Sequence, residues 1–373
     1  MKNYAKYLIS HPLFSGSMVM IIGNNLANAF QYLFHLLMGR LLGPSGYAEL
    51  VSIVSISALL GMVPFSLGLV IVKFISAEKN KNKIVSLASW VERKSFLFGL
   101  LVGILVLAAS PFISNFLHIT NTQLIFAVAL VLAGYRVFGA LLGSLIAGII
   151  ALLMTRVMLK GYLGKVSKRP DIAPLIKYSI PVLLMTISVT SFYSMDLVLV
   201  KHYFPTFEAG IYSSLSTLGK IVFFGVSPVF AVMFPLVSQR QARGEGFRKI
   251  FLYSLVIALA IILGVLAVYR FLPELAISVL FGKDYLSGAS LLFLFGIFVG
   301  ILALSSLFLN FFVSLGKTKI VFVALAAATL QIAGIYFFHG DLKTVILVSI
   351  SAVSVLFLLL LLYSIYEATR GEI

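Results

Sequence analysis

Apolar stretches long enough to cross a bilayer recur along the chain from residue 14 to residue 365, and most of its basic residues fall in alternate connections between them. A transmembrane helix needs about 20 mostly apolar residues. Such spans are predicted at 14–39, 47–72, 96–116, 180–200, 211–236, 251–269, 288–313, 320–338 and 344–365, with a further apolar block at 121–158. In hydrocarbon a backbone must satisfy its own hydrogen bonds, and a helix does so within one segment. The pattern therefore predicts an all-α, polytopic integral membrane protein.

The charges set an orientation. Basic residues collect at the N-terminus (Lys2, Lys6), at 73–94, at 156–177, at 240–249, at Lys317 and Lys319, and at Arg370, which together hold 21 of the 28 Lys and Arg. The positive-inside rule assigns these segments to the cytoplasm and predicts both termini inside, in a multi-pass protein of the inner (plasma) membrane. The net charge of +16 is thus a topology signal. It is divided among short loops with no continuous groove or folded basic domain, so no nucleic-acid partner is expected.

Composition narrows the chemistry. The chain is 61% hydrophobic and 11% charged, with mean hydropathy +1.11, far from soluble domains. It holds no Cys, which excludes disulfide frameworks, thiolate metal sites and Cys nucleophiles. The first apolar segment is too long for a signal h-region and is read as a retained helix. The longest polar stretch, 73–95, is only a loop, so no soluble catalytic domain is expected.

The sequence also repeats. Asn24, Asn28 and Gln31 on the first helix match Thr186, Thr190 and Tyr193 on the helix beginning near 180. Each of these helices ends in a basic residue four before a proline, Arg40 to Pro44 and Lys201 to Pro205. A Gly and a Tyr then open the next span, in SGYAEL and AGIYSS, and that span carries Gly61 to Pro64 in one copy and Gly225 to Pro228 in the other. The offset stays within 161–165 residues and pairs spans of like direction. Two parallel pseudo-repeated helical bundles follow, related by an axis along the membrane normal. The expected division is an N-terminal lobe at 1–168 and a C-terminal lobe at 169–373.

With GRLLGPSGYAEL, KYSIPVLLM, YSMDLVLVKHYF, EAGIYSSLSTLGKI and MFPLVSQR in place, the chain resembles the oligosaccharide flippases of the multidrug/oligosaccharidyl-lipid/polysaccharide exporter superfamily. The resemblance covers most of the chain and is clearest at 30–60 and 173–245. It implies six-helix bundles around a cavity that opens alternately to each side, moving a lipid-linked glycan of the polyprenyl-pyrophosphate type for cell-surface polysaccharide synthesis. It implies a transporter and no enzyme.

Relative to that pattern the first lobe is short. About 10 helices are expected, six in the C-terminal lobe and fewer in the N-terminal one. Three further crossings need roughly 60 residues, more than the block at 121–158 offers, and an odd number of crossings must lie there to join an outside loop to an inside linker. The run VLAGYRVFGALLGSL, with Arg136 near its middle, reads as the start of one helix joined to the end of another, between Ala133 and Gly134.

Polar residues inside spans are the candidate site, since lipid does not accommodate them. Asn24, Asn28, Gln31 and His35 lie within a narrow arc of the first helix and suit sugar hydroxyls, or alternatively interhelical hydrogen bonds. Lys220, with Ser213 and Thr217 at the preceding helical steps, is a candidate for a substrate pyrophosphate; pairing with a carboxylate such as Asp196 and snorkelling to an interface are the alternatives. Asp196 is the candidate coupling residue for H⁺ or Na⁺. Arg40 and Lys201 read as interfacial anchors, and Pro64, Pro181, Pro228 and Pro235 as helix breaks. No metal or cofactor is expected: the five His have no ligand spacing, and SLGKTK has Phe311 where a phosphate loop needs its first Gly. A drug or cation antiporter of the same superfamily and a membrane-embedded glycosyltransferase or polymerase are the alternative functions.

Overall fold

The computed structural model describes residues 31–59, 62, 90, 97, 101, 108–109, 111–113, 115–118 and 173–370. Among the described residues the structure is helical, without strands. Seven helices are long and apolar enough to cross a membrane, and six of them lie after residue 178. The predicted all-α, multi-pass membrane architecture is therefore observed. The block at 121–158, Arg136, Gly61, Pro64 and the basic loops at 73–89 and 156–169 lie outside the described residues.

Helical stretch α1 (Gln31–Leu59) covers the junction of the first two predicted spans. Gly43 stands inside it at φ 65°, just before Pro44. Twelve residues of unbroken helix would rise about 18 Å, yet the Tyr47 hydroxyl lies 3.2 Å from His35 Nδ1. α1 is thus two arms folded back on each other at Gly43, a left-handed backbone position that glycine takes without Cβ strain.

The rest of the described chain is a bundle of α2 (Ala173–Tyr203), α3 (Thr206–Ala242), α4 (Arg248–Phe271), the short α5 (Pro273–Leu280), α6 (Ala289–Ser314), α7 (Val321–Phe337) and α8 (Leu342–Thr369), with 3₁₀ turns at Lys283–Gly288 and Thr318–Ile320. α6 is the axis: it packs on α3, α4 and α8, while α7 packs on α2 and α8. Its buried surface includes Phe295, Phe298, Phe308, Phe311 and Phe312. α4 is the opposite case, with Leu252, Val256, Ile257 and Leu263 exposed, the surface of a helix that faces lipid. The expected breaks at Pro181, Pro228 and Pro235 fall inside continuous helices. At Pro228 the carbonyl freed by the missing N–H, that of Phe224, accepts a hydrogen bond from Ser227 Oγ at 3.1 Å, a hydroxyl replacing a backbone donor.

Short connections alternate between two ends. One end gathers 240–249, 315–319 and 367–370, with seven Lys or Arg against Glu245 and Glu367. Gln241 there donates to the Leu315 carbonyl, and Lys317 pairs with Glu367. The other end gathers the α1 fold, 202–210, 270–285 and 336–343. At this end His202 stacks on Phe116 with centroids 4.1 Å apart, and Tyr203 stacks on His339 at 3.9 Å.

Candidate functional site

The fold of α1 is docked onto the helical bundle at the less basic end. The Arg40 guanidinium donates to the carbonyls of Val279 and Leu280, the last residues of α5. These carbonyls have no partner within their own helix, and a cation at a helix C-terminus is favourable. Tyr285 donates to the Gly39 carbonyl at 2.7 Å. Gly210 meets the Pro44 carbonyl so closely that a Cβ there would stand 2.0 Å from its oxygen. Tyr47 completes the seam, fully buried between Phe281 and Tyr285 at centroid distances of 5.4 and 6.4 Å.

From Tyr47 a buried hydrogen-bond chain crosses from α1 to α3. Its hydroxyl lies 2.7 Å from Thr217 Oγ1 and 3.2 Å from His35 Nδ1. Thr217 Oγ1 also lies 3.0 Å from the Ser213 carbonyl. His35, Tyr47, Thr217 and the Ser213 carbonyl thus form one buried polar series from α1 to α3. Ser213 Oγ donates to the Ala209 carbonyl. Ser213 and Thr217 thus frame the site from inside the packing.

Lys220 stands one helical step beyond Thr217 on α3. Its ammonium is 5.4 Å from the centroid of the Tyr193 ring, whose hydroxyl is 3.0 Å from Thr190 Oγ1. It makes no hydrogen bond, and no ion pair within 4 Å joins it to a carboxylate among the described residues. The carboxylate within electrostatic reach is Asp196, and the imidazole within reach is His35. Asp196 is itself occupied: Tyr212 donates to Oδ2 at 2.9 Å and the Leu197 N–H to Oδ1 at 2.7 Å, at a fully buried position. The alternative of a contact pair between Lys220 and Asp196 is therefore not what the packing builds.

The structure thus brings His35, Ser213, Thr217 and Lys220 together inside the helical bundle, with Asp196 within electrostatic reach of Lys220. Gln31 is exposed on α1 and takes no part in this cluster; Asn24 and Asn28 lie outside the described residues. Lys201, expected at an interface, is instead fully buried, donating to Thr206 Oγ1 at 3.1 Å with Glu49 of α1 in electrostatic reach. The turn at 204–205 brings Thr206 onto it. Arg40 does lie at a helix end, but as a cap for α5. Tyr47 and Tyr193 were missed as site residues. The repeat flagged Tyr193, and the tyrosine opening each second span flagged Tyr47. A second buried polar link joins the bundle's own helices: Gln331 Nε2 donates to the Phe192 carbonyl at 3.0 Å and to Ser349 Oγ at 2.9 Å. No cluster of His and carboxylates suited to a metal occurs among the described residues.

With this geometry in place, comparison with known proteins is informative. A family model described as "Polysaccharide biosynthesis protein" matches residues 117–290. None of the curated proteins matches the chain in sequence. Among solved structures, an inward-facing multidrug resistance MATE family transporter of the MOP superfamily superposes with TM-score 0.65 at 14% identity, covering 90% of this chain and 93% of that one. The lipid II flippase MurJ in an inward closed conformation gives 0.59 at 15% identity, covering 92% and 87%. A MATE protein in a bent conformation gives 0.59 at 16%, covering 91% and 93%. The fold is that of these transporters, and the match to a polysaccharide biosynthesis family over 117–290 agrees with the resemblance read from the sequence.

Proposed function

We infer that this chain, with a transporter fold and a match to polysaccharide biosynthesis proteins, is an alternating-access flippase that moves a lipid-linked oligosaccharide across the cytoplasmic membrane. The observation that carries the reading is Lys220: an ammonium within the membrane-spanning bundle, held over the Tyr193 ring and in contact with no carboxylate among the described residues. A charge at mid-membrane costs about 3 kcal/mol or more on insertion scales, so a lysine kept there without a contact partner needs one that arrives. A pyrophosphate linking sugar to polyprenol is such an anion, and a compact ammonium binds it as a point charge without demanding bidentate geometry. The glycan then meets the polar stripe of Asn24, Asn28 and Gln31. Asp196, backed by Tyr212, is the residue proposed to carry the coupling H⁺ or Na⁺. The more basic end is proposed to face the cytoplasm, which puts the docked α1 fold outside and closes the seam on that side.

The test is binding and flipping of a polyprenyl-pyrophosphate saccharide by the purified protein and by Lys220→Ala and Lys220→Arg. The reading expects loss in the first and partial retention in the second, at equal amounts of folded protein. Unchanged flipping per molecule in Lys220→Ala would overturn it.

A further inference from the structure

The short helix α5 divides into three faces, because residues four apart on a helix stand on one line. Ala276 and Ile277 are buried where α5 packs on α4 and α6. Glu274 and Ser278 form a polar line. Leu275 and Val279 form a third line, which is apolar and yet 57% and 58% exposed. A helix with water on all its open sides presents polar residues there; here one open side is polar and the other is not.

The apolar line continues a surface already assigned to lipid. The exposed side of α4 runs out to its last residue, Phe271, 78% exposed, and Leu272, 51% exposed, leads from it into α5. The chain turns at Leu272, and Pro273 opens α5 where its missing N–H leaves no bond unmade. A basic side chain stands near each end: Arg270, with its guanidinium 5.7 Å from the Phe293 centroid, and exposed Lys283. Both can lay an apolar stem along hydrocarbon and keep the charge in water. Glu274 and Asp284 balance them, so charge does not draw this segment to a membrane.

The same helix carries the acceptors that dock the α1 fold. Arg40 donates to the Val279 and Leu280 carbonyls. Phe281, the next residue, abuts Gly39 so closely that a Cβ there would lie 2.6 Å from the ring. α5 therefore has the seam at its C-terminal end and the continuation of the lipid-facing surface along its side.

We propose that α5 is an interfacial membrane anchor: Leu275 and Val279, with Leu272 leading into them, insert into the leaflet at the less basic end, the outer one in the proposed orientation. The partner is the boundary of headgroups and acyl chains, where the apolar face of an amphipathic helix sits about 5–10 Å deep. The bilayer holds α5, and α5 holds the α1 fold through Arg40. Release of that contact frees α1 and leaves α5 in the membrane. The anchor requires only that the bundle spans a bilayer, and depends neither on Lys220 nor on the cargo.

The experiment places one spin-labelled cysteine at a time in the full chain, Leu275→Cys, Val279→Cys, Glu274→Cys or, as a reference on α4, Leu263→Cys, in phosphatidylcholine vesicles. Relaxation of each label by oxygen, which concentrates in hydrocarbon, is compared with relaxation by a water-soluble nickel chelate. The oxygen-to-nickel ratio at Leu275 and Val279 is expected to be several-fold above that at Glu274 and below that at Leu263, the order for shallow insertion. It should stay the same when Arg40→Gln is added. A ratio at Leu275 and Val279 equal to that at Glu274 places the line in water and overturns the proposal. Low access to both reagents means that protein covers it, a second copy included, and overturns the proposal equally. If the two sites turn to water only with Arg40→Gln, the seam holds the helix and the bilayer does not, which also contradicts it. The labels in the Arg40 background decide the matter even where Arg40→Gln does not fold. No substrate is present, so none of these outcomes bears on the role of Lys220.

Discussion

Tyr47 and Tyr212 occupy matching places in the two sequence repeats, and each buries its hydroxyl against the residue five positions before a helix-end cation: His35 before Arg40, Asp196 before Lys201. The partners differ. Tyr47 joins an imidazole to a threonine hydroxyl on another element, whereas Tyr212 gives its proton to a carboxylate. The same scaffold position thus tethers α1 to α3 in one copy and fixes an acid in the other.

Tyr47→Phe should destabilise the protein by about 1–3 kcal/mol, because it leaves the buried His35 Nδ1 and Thr217 Oγ1 without the hydroxyl that joins them. Thermal unfolding in one fixed detergent measures this. In a double-mutant cycle with Thr217→Val the two effects should be clearly non-additive, as expected for residues in contact. Additive losses would mean that the bridge is not a functioning link.

Gly210→Ala should prove costly, since its Cβ would fall on the Pro44 carbonyl oxygen. Overpacking of this kind typically costs 1–3 kcal/mol, and here it levers the α1 fold away from α3. Gly264→Ala, on the lipid-facing α4 with nothing within 4 Å, is the matched control and should gain up to about 1 kcal/mol of helix propensity. Equal melting temperatures for the two variants would argue against the docked seam.

Asp341 caps α8, accepting from the Thr344 N–H at 2.6 Å. Hydrogen bonds from the Thr344 side chain, and then from its backbone N–H, hold this carboxyl below the ordinary aspartate value. A depressed carboxylate stabilises the fold above its unfolded value and loses that effect as pH falls through its folded value. The melting-temperature deficit of Asp341→Ala should therefore shrink in acid. Asp341→Asn, still a good cap, should show a smaller deficit with little pH dependence.

Cysteines introduced into this Cys-free chain should sort by end. Arg243→Cys and Lys319→Cys are expected to react with an impermeant thiol reagent only after lysis, and Thr206→Cys and Gly340→Cys in intact cells. Reaction of Arg243→Cys before lysis would reverse the proposed orientation.

The bundle after residue 178 was legible because lipid leaves apolar length and charge placement as nearly the whole signal, and six of its helices match predicted spans within a few residues. Pairings between distant residues were not. Nothing local marks Tyr47 as a partner of Thr217, 170 residues away. Helical spacing put Gln31 and His35 on one arc, but the docked fold covers only the level of His35. Lys201 was misjudged because a cation at a helix end reads as an anchor until the next turn and Glu49 are placed around it. Lys220 was legible: a cation in an apolar span stands out wherever the chain folds.

The most direct test of the central claim is the rate at which a fluorescent polyprenyl-pyrophosphate saccharide crosses proteoliposomes containing equal amounts of wild type, Lys220→Ala or Lys220→Arg. The account predicts flipping by the wild type, flipping reduced to that of protein-free vesicles by Lys220→Ala, and an intermediate rate with Lys220→Arg. Wild-type flipping with Lys220→Ala just as fast would contradict it.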